Sequence, residues 1–270
     1  MRLGRTVLPL VLAGLLATAA ACAEEPPVLP SPTATGVGTA VPTPGVTLPP
    51  VGAACLTEAD QGRPLRLTNG AGHSVAAVEL GSGPAAIVLA HQSAGSLCDW
   101  LPYGEELVAQ GFRVLAFDFV GSGSSSMPKQ KTYVEDIRTA VVYLREQGAA
   151  KVVIMGASMG GTMSVVAAAA IAPPVDGVIA LSAPTSFDGV NAEKAAPSLK
   201  SPALYVAGDA DADFAAAAKS IQAATPANLG ALVLVPGAQD GIRLLDSEVR
   251  ATVVVRTAVE QFLYLHDPPA

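Results

Sequence analysis

The chain of 270 residues contains only three histidines, His73, His91 and His266. They are scattered without the spacing of metal ligands, and Asp211 with Asp240 would add just two carboxylates, so no metal centre is expected. Lysines and arginines are few and nowhere clustered, and the formal net charge is −7. Such a balance excludes a nucleic-acid partner and a membrane-binding face on the folded part. The apolar run from Val7 to Ala21 falls short of the ~20 residues a membrane span requires. Gly121-Ser122-Gly123 has neither a Walker lysine nor a full dinucleotide fingerprint, so it is not a phosphate loop and no cofactor is expected. Cysteine is scarce too, at Cys22, Cys55 and Cys98.

What is present begins with a targeting segment. Arg2 and Arg5 precede the Leu- and Ala-rich run, which ends in Ala19-Ala20-Ala21-Cys22-Ala23. Residues 1–23 are therefore expected to be an export signal. Ala21-Cys22-Ala23 suits cleavage before Glu24. The small residues before Cys22 also resemble the box at which bacterial lipoproteins are cut and the cysteine is acylated. Both routes stay open, one to a secreted protein and the other to a cell-envelope lipoprotein anchored at Cys22. Residues 24–54 are rich in Pro, Thr and Gly and almost uncharged, the composition of an extended linker. The remainder, residues 55–270, is long enough for one sizeable core. Its two cysteines, Cys55 and Cys98, either pair in an oxidising compartment or stay as buried thiols.

Short apolar strands alternate with amphipathic helices through this body. Strands are expected at 65–68, 75–80, 85–90, 113–119, 151–155, 175–181, 203–207 and 231–235. Helices are expected at 102–110, 133–147, from Ser158 to about 170, and at 211–223 and 246–265. The interval 182–202 reads as loop. This alternation predicts an α/β fold with a mostly parallel sheet covered by helices on both faces.

The chemistry concentrates at Val152-Val153-Ile154-Met155-Gly156-Ala157-Ser158-Met159-Gly160-Gly161, a strand running through G-x-S-x-G into an alanine-rich helix. That context defines a nucleophile elbow. Four further segments stand at the expected strand ends. They are His91-Gln92, Asp118-Phe119-Val120-Gly121-Ser122-Gly123-Ser124-Ser125, Gly208-Asp209-Ala210-Asp211 and Pro236-Gly237-Ala238-Gln239-Asp240-Gly241. In this order they resemble the α/β-hydrolase family over residues 65–265. The resemblance implies Ser158 as nucleophile, Asp211 as the acid with Asp209 as rival, and backbone N–H donors of Met159 and of Gln92 or Ser93 as the oxyanion hole. It also implies a minimal cap over a small, open pocket walled by Trp100, Tyr103, Phe187 and Met159.

The family's catalytic histidine is replaced here by Asp240. A carboxylate is a far weaker base toward an alcohol than imidazole. His91 follows the third strand, where it either braces the oxyanion loop or serves as a substitute base. His73 belongs to an early hairpin, and His266 lies at the far end of the last helix. These residues lead to an exported serine esterase acting on small carboxylic esters, weakened by the missing histidine. A non-catalytic binding protein of the same fold is the alternative.

Overall fold

The fold follows from how completely the strands are buried. In the computed structural model, residues 48–56, 62–246 and 252–269 are described. The segment expected to be a signal and anchor, and most of the linker, lie outside them.

In chain order the main-sheet strands are β1 (Arg63–Thr68), β2 (Ser74–Leu80), β3 (Ala85–Ala90), β4 (Arg113–Phe117), β5 (Lys151–Ala157) and β6 (Gly177–Leu181). A small hairpin, β7 (Ser186–Phe187) and β8 (Val190–Asn191), follows, and β9 (Ala203–Gly208) and β10 (Gly230–Val235) complete the sheet. The helices are α1 (Leu101–Ala109), α2 (Tyr133–Glu146), α3 (Met159–Ala170), α4 (Ala192–Ala195), α5 (Ala212–Ala224) and α6 (Thr252–His266). Eight strands form one sheet in the order β1-β2-β4-β3-β5-β6-β9-β10. Only β1 with β2 and β2 with β4 pair antiparallel; every other pair is parallel. β2, β3, β4 and β6 are buried along their whole length. A strand with helices on both faces must be apolar throughout, and the unbroken runs Ala85–Ala90 and Gly177–Leu181 meet that demand.

Two cores result, one per face. Ile137, Val141 and Leu144 of α2, Met163 and Val165 of α3, and Ala218 and Ile221 of α5 fill the first. Leu107 of α1 and Val255, Val259, Phe262 and Leu263 of α6 fill the second. The apolar side chains of α2 and α6 recur at helical spacing, and each helix turns that stripe to the sheet.

Three findings depart from the sequence reading. The interval 182–202 is not all loop, since it folds into the β7–β8 hairpin and the short α4. Asp188 and Gly189, at φ 47° and 80°, make its turn. Asp-Gly is a hairpin signal of the primed-turn kind, and it stood in the sequence. Ordered contacts also begin before Cys55. The Pro50 carbonyl accepts from Ser124 Oγ at 2.9 Å, and the Pro49 carbonyl accepts from Arg66. Finally, Asp246 is extended at φ −67° and ψ 120°, so the last helix does not begin there; α6 is described from Thr252.

Cys55 and Cys98 form a disulfide, with Cα atoms 5.6 Å apart. It ties the start of the body to the segment after β3.

Candidate active site

Ser158 sits between the last residue of β5 and the first of α3, at φ 48° and ψ −116°. A non-glycine residue in that region is strained, and it persists only because its surroundings hold it. The Ser158 N–H donates to the Leu181 carbonyl at 2.8 Å, and its own carbonyl accepts from Thr162 N–H at 3.1 Å. The turn is tight enough to forbid side chains beside it. A Cβ on Gly160 would stand 2.2 Å from the Ala90 carbonyl oxygen, and one on Gly156 would stand 2.3 Å from that of Gly160. The Ser158 side chain makes no cap bond to α3 and remains partly exposed. A serine chosen only to cap the helix would accept a first-turn N–H. The elbow expected from G-x-S-x-G is thus present, and the N–H of Met159, in the first turn of α3, has no intrahelical acceptor by helix geometry.

The loop after β3 passes beside the elbow. His91 is fully buried. Its Nε2 accepts from Phe119 N–H at 3.1 Å and its Nδ1 faces the Gln92 carbonyl at 2.7 Å. Those partners assign the proton to Nδ1, which donates to that carbonyl. The ring meets Phe119 edge-on with centroids 5.0 Å apart, and burial holds its pKa below the ordinary histidine value. With both nitrogens bonded to backbone, His91 braces the loop and has no nitrogen placed to take a proton from Ser158. Of the two expected roles, that geometry favours bracing over the substitute base. The Gln92 carbonyl also accepts from Gly95 N–H at 3.0 Å, closing a turn with Ala94 at φ 60° and Ser93 exposed at its tip.

Asp118, whose role the sequence left open, is a clamp. One of its oxygens accepts from Leu97 N–H at 2.8 Å and the other from Ser124 N–H at 2.7 Å. It joins the loop after β4 to the segment after β3, which keeps the oxyanion loop in register.

The loops after β9 and β10 are zipped together. Asp209 accepts from Gly237 N–H at 3.1 Å through its side chain, while its own N–H donates to Val235. Ala210 N–H donates to the Gly237 carbonyl at 2.9 Å. Asp211 caps α5, accepting from Phe214 N–H at 3.3 Å. Asp240 is exposed and its side chain caps nothing in the 3-10 turn it precedes, residues 241–245. The next residue, Gly241, has φ 55°, and a Cβ there would lie 2.3 Å from Gln92 Oε1 and 3.7 Å from Ala157 Cβ. The segment bearing Asp240 therefore crosses beside the residue that precedes Ser158. Gln92 Oε1 accepts from Ile242 N–H at 3.4 Å. The loops after β3 and β10 thus meet beside the carboxyl end of β5, and Asp211 stands at the start of α5.

His266 lies at the opposite end of β5, where its carbonyl accepts from Lys151 Nζ at 3.0 Å and its ring packs on Phe262. His73 is half-buried in the turn before β2. The elbow thus lies at the other end of β5 from His266. Of the four residues expected to wall the pocket, Trp100 is a core residue with no exposure, and Met159 is buried. Tyr103 instead faces a separate cavity of about 350 Å³ that it shares with Asp99, Ile242, Leu245 and Arg256. The Arg256 guanidinium lies 5.4 Å from the centre of its ring. Phe187, on the hairpin, remains half-exposed and packs against Tyr133.

One residue beside the elbow carried no sequence signal. Ser182, directly after β6, is fully buried at φ 46°, and its hydroxyl has no hydrogen-bond partner among the described residues. It follows Leu181, whose carbonyl holds the Ser158 N–H. Among the described residues no group of three or more His, Cys, Asp or Glu side chains is arranged to hold a metal ion.

Comparison with known proteins agrees with this geometry. Residues 85–202 match a family model described as alpha/beta hydrolase fold. An esterase of Pyrococcus furiosus superimposes with a TM-score of 0.65 at 16% identity, over 82% of this chain and 98% of that one. The enol-lactonase of Burkholderia xenovorans gives 0.60 at 20% identity, over 73% and 99%. A bifunctional epoxide hydrolase of Sus scrofa is 36% identical over 89 residues, which is 32% of this chain and only 16% of that protein. The elbow at Ser158, the braced loop after β3 and these matches show that the chain has the α/β-hydrolase fold.

Proposed function

We propose that the protein is an exported serine hydrolase that acts on small carboxylic esters through Ser158. The observation that carries this reading is the elbow itself. Strain at Ser158 is maintained at a strand-to-helix turn although its partly exposed side chain caps nothing, which is the arrangement a serine nucleophile needs. In the proposed reaction the Ser158 hydroxyl attacks the ester carbonyl, with the Met159 N–H and a donor from Gln92 or Ser93 receiving the oxyanion. In this reading Asp240 takes the place of the base, and a carboxylate in that role gives slow proton transfer. Turnover is accordingly weak. The half-exposed Phe187 and the short hairpin suit a compact acyl group. Residues 1–23 are proposed to direct export, with acylation at Cys22 as the anchor.

A second reading, a binding protein of this fold without catalysis, is favoured by one observation. No described histidine nitrogen faces Ser158, because both His91 nitrogens are bonded to backbone. Fluorophosphonate labelling separates the two. Stoichiometric modification of Ser158, absent in Ser158→Ala, supports the hydrolase. An unlabelled serine in folded protein, together with a small molecule that co-purifies unchanged, supports the binding protein.

A further inference from the structure

The segments after β3 and β4 are joined at two levels. Inside, the Asp118 carboxylate holds both, accepting from Leu97 N–H at 2.8 Å and from Ser124 N–H at 2.7 Å. Outside, the residues that precede β1 hold the same pair of segments. The Pro50 carbonyl accepts from Ser124 Oγ at 2.9 Å, and Cys55 is bonded to Cys98, the residue after Leu97. Arg66 of β1 fixes the near end, donating to the Pro49 carbonyl and, at 2.8 Å, to the Ser124 carbonyl. Between the two attachments the chain turns, with Cys55 N–H donating to the Gly52 carbonyl at 2.9 Å. Residues 49–55 thus lie as a strap across the Asp118 clamp.

The far attachment stands next to the oxyanion loop. Cys98 N–H donates to Ser96 Oγ at 3.3 Å, and the Asp99 carboxylate accepts from Ser96 N–H at 3.2 Å. A Cβ on Gly95 would stand 2.4 Å from that carboxylate, and Gly95 closes the turn that begins at Gln92. A shift at Cys98 is therefore passed to Gln92 and Ser93 through packed neighbours. The strap itself is held lightly. Val51, Cys55 and Leu56 are half-buried at the margin of the second core, whereas β2, β3, β4 and β6 are buried throughout. A segment with few buried apolar contacts opens at a lower free energy than the sheet it rests on.

We propose that residues 49–55 position the oxyanion loop, and that the Cys55–Cys98 disulfide is the bond through which a dithiol loosens that loop while the sheet stays folded. Both cysteines are half-buried, within reach of a small thiol reagent. A thiolate of the dithiol attacks one sulfur, forming a mixed disulfide and expelling the other cysteine as thiolate. The reagent's second thiol then displaces the remaining cysteine. Its two thiols supply the two protons, so the reagent ends as a disulfide and Cys55 and Cys98 end as thiols. The strap is then held on the Ser124 side and released on the Cys98 side.

Hydrogen exchange of the full chain, followed by mass spectrometry before and after dithiothreitol, tests the strap. The double variant Cys55→Ser, Cys98→Ser makes the same release without a reagent. Amides of residues 92–100 should exchange about tenfold faster in both, as expected when opening no longer costs one tertiary contact. Those of β5, β6 and β9 should keep their rates, and reoxidation of the wild type should restore protection. If the double variant fails to fold, the reduced wild type decides. Unchanged exchange at 92–100, once alkylation shows both thiols free, would overturn the proposal. So would a rise of equal size throughout the sheet, which would make the disulfide a staple of the whole fold. The positioning role rests on the serine-hydrolase reading and has its own measurement. Fluorophosphonate labelling of Ser158 should slow by at least about tenfold on reduction, since a displaced oxyanion donor costs that much or more. An unchanged labelling rate in a loosened loop would overturn the positioning role. A Ser158 left unlabelled even in the oxidised chain would count against the hydrolase instead, and the exchange result would still judge the strap.

Discussion

Gln92 and Ile242, 150 residues apart, are joined by a hydrogen bond from the Ile242 N–H to Gln92 Oε1 at 3.4 Å. The bond ties the oxyanion loop to the loop that carries Asp240, and Gly241 is the residue that lets them come so close. Alanine at 241 meets two separate obstacles, the positive φ and the Gln92 oxygen. Gly241→Ala should therefore lower stability by about 1–3 kcal/mol in denaturant unfolding. In Gln92→Ala the steric part disappears and the backbone part persists. A double-mutant cycle should show the double variant losing less stability than the sum of the two single losses, and strictly additive losses would contradict the contact.

Asp240→His should raise turnover of a small activated ester by at least about 100-fold, because losing the histidine of a serine triad costs on the order of 10⁶. The imidazole would enter a loop already placed beside the elbow. The gain should vanish when Ser158→Ala is added. A wild-type rate typical of the fold, unchanged by the histidine, would mean that another group takes the proton.

Replacement of His91 should act on stability first. His91→Ala leaves the Phe119 N–H buried and unpaired and opens a gap beside its ring, a loss of about 2–4 kcal/mol. The pH dependence has a definite sign. Burial depresses the folded-state pKa below the ordinary value near 6.5, so the unfolded chain binds the proton more readily. The stability His91 confers is complete above that value and is lost as pH falls through and below it. Thermal melts between pH 7.5 and 5 should show a decline that shrinks in a folded His91 variant.

Asp267 behaves in the opposite sense. It is fully buried just beyond α6, and neither carboxyl oxygen makes a hydrogen bond of normal length. Desolvation first, and then the negative Asp176, push its pKa up to about 7. The folded protein thus holds this proton more tightly than the unfolded chain does. Its contribution is fullest below the unfolded carboxylate value near 4, is lost as pH rises toward 7, and changes little above that. Asp267→Asn should raise the melting temperature more at pH 8 than at pH 5. An equal effect at both values would show that the carboxyl stays ionised throughout.

Much of this was legible in the sequence, for reasons the structure makes plain. Ala85–Ala90 was placed to the residue because a fully buried parallel strand must be an unbroken apolar run. Ser158 was legible because the elbow leaves no room for side chains at Gly156 and Gly160. The Cys55–Cys98 pairing, left open by composition, was decided by a Cα separation that sequence spacing does not report. His91 shows where reading stopped, since whether a histidine braces or reacts depends on what its two nitrogens touch. Ser182 gave no signal at all. Its strain arises from the join between β6 and its neighbours, a tertiary condition that no local pattern encodes.

The zipped loops after β9 and β10 also have a long-range effect. Asp209, Asp211, Asp213 and Asp240 gather along them, and the first basic residues in sequence after Asp209 are Lys219 and Arg243. Their charge is expected to oppose anions on this side of the molecule. For the ester substrates proposed above, an anionic ester should be slowed at a distance and a cationic one drawn in, with a neutral one unaffected. With a screening length of about 10 Å at 0.1 M salt, the bias fades as ionic strength rises. The rim thus acts as a filter on encounter rate, ahead of any discrimination by shape.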